Sequence, residues 1–363
     1  MPVQLCWVSV MNFKIRLVIC VFIVLFATSA SFADPVEHLT ISSIGSERAS
    51  SGAGGKTVTF DGKTHVVWQD ATDDGAYLNQ VRTLDHATGK WSKTFTLNKG
   101  RDNHARPVVT IDKQGFLHVI LSGHNSPVHY RRSVKPNDSS AWTPPEAVGS
   151  GTYPSIVVND KGTLHLTMRN PNRWNGVDLH RKVRNGKWRK LRHIVMRDPE
   201  LNGYGAFQNG LAWGPKFKTL HIVQDFYESK HTHTQRGVHQ AVCYMRSLDA
   251  GETWQRADGT NIDLPARPEQ MDILAQHRAP QDRPLPPPVV LAQGNIVVDA
   301  DDQPHILYIS HLEEAGQVIH ATTDKRGHWQ QRAISELVTA HPEHRPIGCR
   351  GAMSIDSAGN LYA

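Results

Sequence analysis

Five side chains between residues 104 and 204 could together move a proton and hold an anion: His104, His124, Tyr153, Arg169 and Tyr204. His104 lies in Asp-Asn-His-Ala-Arg-Pro and His124 in Gly-His-Asn-Ser-Pro. These polar segments bound two strand-like runs, Pro107–Asp112 and Phe116–Leu121. If the runs pair through Lys113-Gln114-Gly115, where glycine makes positive φ cheap, both imidazoles fall at the same end of a hairpin. Tyr153, in Gly-Thr-Tyr-Pro, and Arg169, in Thr-Met-Arg-Asn-Pro, bracket the next hairpin in the same way. Tyr204, in Asn-Gly-Tyr-Gly-Ala-Phe-Gln-Asn, precedes a third strand pair. Arg106, Asn125 and Asn209 stand beside them as expected substrate contacts.

The set contains no paired carboxylates, which glycoside hydrolysis normally needs on either side of the bond. A tyrosine-nucleophile sialidase would need an arginine triad and an acidic partner, and neither is evident. Imidazole, phenol and guanidinium suit β-elimination from a uronic acid instead. There a cation neutralises the carboxylate, a base takes the C5 proton, and an acid protonates the departing O4. Arg169 is the expected neutraliser and a histidine–tyrosine pair the expected proton carriers, with Tyr153 and Tyr204 both open as the tyrosine.

These segments need a scaffold that repeats. A strand entered from an acidic or Asn-containing turn recurs at Asp112–His118, Asn159–His165, Asp299–His305 and Asp356–Tyr362, and His65 and His221 enter strands in the same way. Units end on Trp91, Trp142, Trp188, Trp254 and Trp329. A period near fifty with about four short strands per unit predicts an all-β chain folded as a β-propeller. Ser247-Leu248-Asp249-Ala250-Gly251-Glu252-Thr253-Trp254 matches the Asp-box, S-x-D-x-G-x-x-W, of sialidase-like propellers. Five units are visible and a sixth begins, so the expectation is a propeller interrupted at Ala363, in a product shorter than its full gene. The proline-rich stretch between Trp254 and Asp299 is expected to be a loop over one face.

The first 33 of the 363 residues are expected to be removed. Lys14 and Arg16 precede the apolar run Leu17–Phe26 and the small residues up to Ala33, the layout of a secretory signal. Their loss lowers the formal net charge from +6 to +4 and leaves Cys243 and Cys349, too few for a disulfide framework. Residues 34–363 then form the β-propeller catalytic domain. Mild basicity and 21 histidines suit an anionic ligand, and no basic run interleaved with aromatics points to nucleic acid. A secreted or periplasmic monomer with no membrane anchor after cleavage is expected.

The segment Gly123–Ser133, with Asn103–Pro107 upstream, resembles the BNR-repeat family that includes the ulvan lyases of polysaccharide lyase families 24 and 25. That resemblance implies a seven-bladed propeller and cleavage of a sulfated, uronate-containing polysaccharide to leave a 4,5-unsaturated uronyl end. It also implies that His104, His124, Tyr153 and Arg169 occupy the family's site positions. His221, His231, His233, His239 and Cys243 cluster in one unit. Related ulvan lyases carry a structural zinc, so His221, His239 and Cys243 are the expected Zn2+ ligands, against a reading as a solvated histidine loop beside a buried thiol. No organic cofactor is expected. The competing functions are a sialidase-type hydrolase and a glycan-binding propeller without turnover.

Overall fold

A computed structural model describes residues 39–49, 54–121, 123–171, 176–201, 203–229, 238–276, 292–310, 317–335 and 353–362. The signal-like residues 1–33, His231, His233, Cys349 and most of the proline-rich stretch lie outside them. The compact unit Ile44–Ala363 is all-β among its described residues apart from short 3-10 turns.

Its strands form antiparallel sheets in chain order. The first sheet runs β1 (Thr57–Phe60), β2 (Lys63–Ala71), β3 (Tyr77–Asp85) and β4 (Lys90–Trp91), with β5 (Phe95–Gly100) also on β3. The second array is a seven-stranded path. It comprises β6 (Pro107–Ile111), β7 (Leu117–Leu121), β8 (Ser126–Arg132), β9 (Glu146–Val158), β10 (Leu164–Arg169), β11 (Gly176–Lys182) and β12 (Arg189–Met196). The third holds β13 (Gly205–Trp213), β14 (Leu220–Glu228), β15 (Val238–Ser247), β16 (Trp254–Gln255) and β17 (Asn261–Ile262), with β18 (Asp272–Gln276) on β15. Then come β19 (Ala292–Val298), β20 (Pro304–Ser310), β21 (Gln317–Thr323) and β22 (Trp329–Ala333), and a last pair, β23 (Ser354–Ile355) with β24 (Leu361–Tyr362).

The recurrent acidic turn has a local cause. Oδ1 of Asp112 accepts the backbone N–H groups of Gln114 and Phe116, both at 2.9 Å, and Gly115 takes φ +84°. Asn159, Asp299, Asp324 and Asp356 make the same pair of bonds two and four residues on. The side chain thus supplies the acceptor that a tight hairpin lacks, which fixes strand register. Two of the strand-entry histidines are bonded to a tyrosine of the neighbouring strand. His118 Nδ1 lies 2.7 Å from the Tyr130 hydroxyl, and His221 Nδ1 lies 2.7 Å from that of Tyr244.

β9 belongs to two sheets. Its first half pairs with β8 (Ser126↔Gly151) and its second half with β10 (Leu164↔Val158). The change of partner falls at Gly151, Thr152 and Tyr153, where Tyr153 takes φ +56°. Gly151 is required there, because a Cβ would lie 2.6 Å from Met168 Sδ and 3.0 Å from the Arg169 carbonyl. The core lies between sheets. Phe207, Phe226, Ile222, Met245 and Trp254 are almost wholly buried in one cluster, and Ile120, Val128, Leu166 and Met168 in another.

Candidate active site

The β6–β7 hairpin pairs Pro107 with Leu121, so the segments just outside those residues meet. His104 and His124 stack there with ring centroids 4.0 Å apart and planes at 19°. Asp102 lies against both rings. It accepts the His104 backbone N–H at 2.7 Å and places Oδ1 3.3 Å from His104 Nδ1. Its Oδ2 is 2.5 Å from His124 Nδ1. Burial pushes the Asp102 carboxyl up, but hydrogen bonds from His124 and the His104 N–H outweigh it and leave the pKa below the usual value. An ionised carboxylate only accepts, so the His124 Nδ1–H donates, and in neutral His124 the Nε2 carries the lone pair. His104 is pushed down to about 4, first by burial, then by Arg48 and His124, against the pull of Asp102. It is therefore neutral near pH 7.

Arg169, at the end of β10, is fully buried. Its Nη1 donates to the Tyr204 hydroxyl (3.1 Å) and the Gly205 carbonyl (3.0 Å). Its Nη2 donates to Asn125 Oδ1 (2.9 Å) and Thr152 Oγ1 (3.3 Å). The guanidinium also lies 4.8 Å from the Tyr153 ring centroid and 5.6 Å from that of Tyr204. Arg106 faces the Tyr153 ring at 5.8 Å, so two cations flank that phenol ring. Tyr153 in turn is 6.2 Å from the His104 ring. Burial raises the Tyr204 phenol to about 12, reinforced by Tyr153 and opposed by Arg169, so it stays protonated. Asn125, exposed and at φ +52°, links the buried guanidinium to the surface.

The structure thus brings together His104, His124, Tyr153, Arg169, Tyr204, Arg106 and Asn125. Asn209 is placed differently. It lies four residues into β13, is 1% exposed, accepts a hydrogen bond from Thr167 Oγ1, and does not reach the surface of the cluster. Arg169 also departs from the expected direct contact with a substrate, since it is fully buried and its Nη1 and Nη2 are engaged by four protein acceptors. Asp102 and Thr152 were missed in the sequence, as was a layer behind Tyr204. There Tyr227 packs 6.0 Å from Tyr204, and His239 packs 4.9 Å from Tyr227 with its Nδ1 2.8 Å from Asp225 Oδ1. Glu228 sits opposite Gly205, its carboxyl raised to about 7 by burial.

A profile described as BNR repeat-containing family member matches residues 57–337. The chain belongs to that family. An ulvan lyase of Nonlabens ulvanivorans is 23% identical over 290 residues, covering 69% of this chain and 58% of the relative. An ulvan lyase of Alteromonas sp. (strain LOR) is 23% identical over 246 residues, covering 58% and 50%. The chain therefore spans between half and three fifths of the length of these curated relatives. Among solved structures, a PL25 ulvan lyase superposes with a TM-score of 0.61 at 17% identity, covering 78% of this chain and 72% of that one. The polysaccharide lyase Uly1 gives 0.57 at 13% identity, covering 92% and 81%. At these identities the likeness is one of fold.

In this BNR-repeat chain the expected zinc ligands do not converge. His221 pairs with Arg246 across β14 and β15, whereas His239 pairs with Tyr227, six residues further along, or about 20 Å by strand rise. Both His221 nitrogens are engaged, by Tyr244 and by Asp302 at 3.3 Å. Cys243 is a fully buried free thiol whose pKa burial pushes well up. These three residues do not fit a shared metal. Among the described residues, Asp102, His104 and His124 do bring three potential ligand atoms within 4.8 Å of one another.

Proposed function

We propose that this chain is a polysaccharide lyase, that its successive sheets are blades of a propeller, and that it cleaves an anionic, ulvan-like polysaccharide by β-elimination. One observation carries the reading: two imidazoles, two phenols and a buried guanidinium share one cluster in which Asp102, the carboxylate in contact with both imidazoles, is committed to them. Among the described residues Asp102 is the one carboxylate paired with these imidazoles, whereas hydrolysis calls for two carboxyl groups flanking the bond.

In the proposed reaction a uronate binds with its carboxylate over Asn125. Arg169 holds Asn125 Oδ1, which turns the amide NH2 toward the ligand, and lends positive charge from beneath. Neutralising the carboxylate makes the C5 proton more acidic. An imidazole takes that proton, the C5–H electrons form the C4=C5 double bond, and the C4–O4 bond breaks. O4 leaves with a proton from a tyrosine. Neutral His104, or the lone pair that the Asp102 contact directs to His124 Nε2, suits the first role, and a phenol kept protonated suits the second.

The test is incubation of the chain with ulvan, following the ultraviolet absorbance of the unsaturated uronyl product. Rising absorbance that His124→Ala abolishes is expected. New reducing ends without absorbance, or glycan binding without turnover, would overturn the proposal.

A further inference from the structure

At the opposite end of the sheets from the histidine pair, hairpin turns from successive sheets enclose a second cleft of about 760 Å3. That lies within the roughly 300–1,000 Å3 common for small-molecule sites. The turn between β13 and β14, Trp213–Thr219, forms one wall, and the turns at Asn159–Lys161, Leu248–Ala250 and Ala300–Asp302 form the others. β13 runs from Gly205, beside Tyr204, to Trp213, so the cleft stands about 30 Å from the first site by strand rise.

The Trp213–Thr219 turn does more than connect two strands. Lys216 and Phe217 both adopt left-handed backbone, at φ 61° and 54°. Connectivity alone favours glycine or asparagine at such positions, and strain at bulkier residues marks sites of function. The strain leaves the Phe217 ring 40% exposed, 6.3 Å from Trp213, with the two planes at 71°. Leu248 of the facing turn is 60% exposed. Gly214 lets the walls close up, since a Cβ there would lie 1.8 Å from Asp302 Oδ1.

Two aromatic planes near a right angle form a corner that accepts the C–H face of a pyranose, one ring beneath it and the other against its edge. Lys161, Lys216 and Lys218 are exposed around this corner. Four aspartates, Asp160, Asp249, Asp301 and Asp302, line the same cleft, and two of them are tied by hydrogen bonds. The Asp249 carboxylate accepts from Ser247 and Thr253, and that of Asp302 from Thr219. Asp160 at the rim can accept from a sugar hydroxyl, while the Asp301 carboxylate lies 3.5 Å from Lys325 Nζ.

We propose that this cleft is a second glycan site, which stacks a sugar of an anionic polysaccharide on Phe217 and Trp213 and meets its sulfate or carboxylate groups with lysines. It rests on the reading above that the chain acts on such a polymer. It would hold a distant part of the chain being cut.

The test uses Phe217→Asn, which removes the ring while suiting the left-handed backbone, with thermal melting to establish that the variant folds. Migration is measured in gels containing ulvan, and cleavage is measured on short ulvan oligosaccharides. Wild type should be retarded, and Phe217→Asn should bind the polymer on the order of tenfold more weakly, with oligosaccharide cleavage unchanged. Retardation of Phe217→Asn equal to wild type overturns the second site and leaves the lyase proposal standing. Loss of retardation in Phe217→Asn, when wild type yields no unsaturated product, supports the site and overturns the lyase. Wild type neither retarded nor active overturns both.

Discussion

Replacing Arg169 by lysine keeps the charge and removes the fork, which separates electrostatics from geometry at the centre of the cluster. The guanidinium bridges Tyr204 and Gly205 on one side and Asn125 and Thr152 on the other. An ammonium reaches one side only, so two bonds to a charged donor are lost in a fully buried place. At about 1.5–3 kcal/mol each, the cost is about 3–6 kcal/mol. At ~1.5 °C per kcal/mol for a unit of about 320 residues, the melting temperature should fall by at least about 4 °C. Asn125 and Tyr204 lose their anchors together, and a displacement on the order of 1 Å should slow product formation about 100-fold. Differential scanning calorimetry and the initial rate of absorbance on ulvan read the two effects separately. Melting within about 2 °C of wild type would refute the buried network. A lowered melting temperature with an unchanged rate would confine Arg169 to structure and remove it from the mechanism.

Asp102→Asn should lower kcat with little change in KM, because the amide no longer holds an ionised acceptor against His124 Nδ1; equal kcat would show that Asp102 orients nothing. Burial holds His104, His165 and His180 at about 4 in the folded chain, below the ordinary 6.5. Between those values the unfolded chain takes up protons that the folded chain does not, so stability is greatest above pH 6.5 and falls as pH drops toward 4. Urea midpoints at pH 7.5 and pH 5 check the sign, and an equal or higher midpoint at pH 5 would contradict it. Cys243→Ser should leave the metal content of the purified protein unchanged by elemental analysis, since the thiol shares no site with His221 or His239; loss of bound zinc would reverse that conclusion.

The meeting of His104 and His124 was legible because Pro107, the Lys-Gln-Gly turn and two runs of matched length leave the hairpin one sensible register. Asp102 lay in the same stretch, but an aspartate two residues before a bend reads as an ordinary turn acid until the second ring is in place. Tyr153 was read as entering a strand. It lies in the middle of the 13-residue β9, whose continuity is hidden by Gly149, Gly151 and Pro154, residues that normally end strands. His239 and Cys243 looked like a ligand pair because their spacing is local. The partner of His239, Asp225, sits 14 residues away on the neighbouring strand, and a register shift between Phe226 and Tyr227 helps set that pairing. Cross-strand contacts of this kind depend on bulges that composition does not encode.

The corner at Tyr153 also limits how this cluster can evolve. A strand shared between two sheets ties the hairpin bearing His124 to the hairpin bearing Arg169 through two peptide ladders, each with one register shift, and with no loop between them. One residue added or deleted between Gly149 and Tyr153 would turn every later side chain of β9 to the opposite face. Most enzymes vary their specificity by lengthening loops around a fixed frame. Here that freedom lies elsewhere along the rim, and the Gly149–Tyr153 segment should tolerate substitution far better than any change in length.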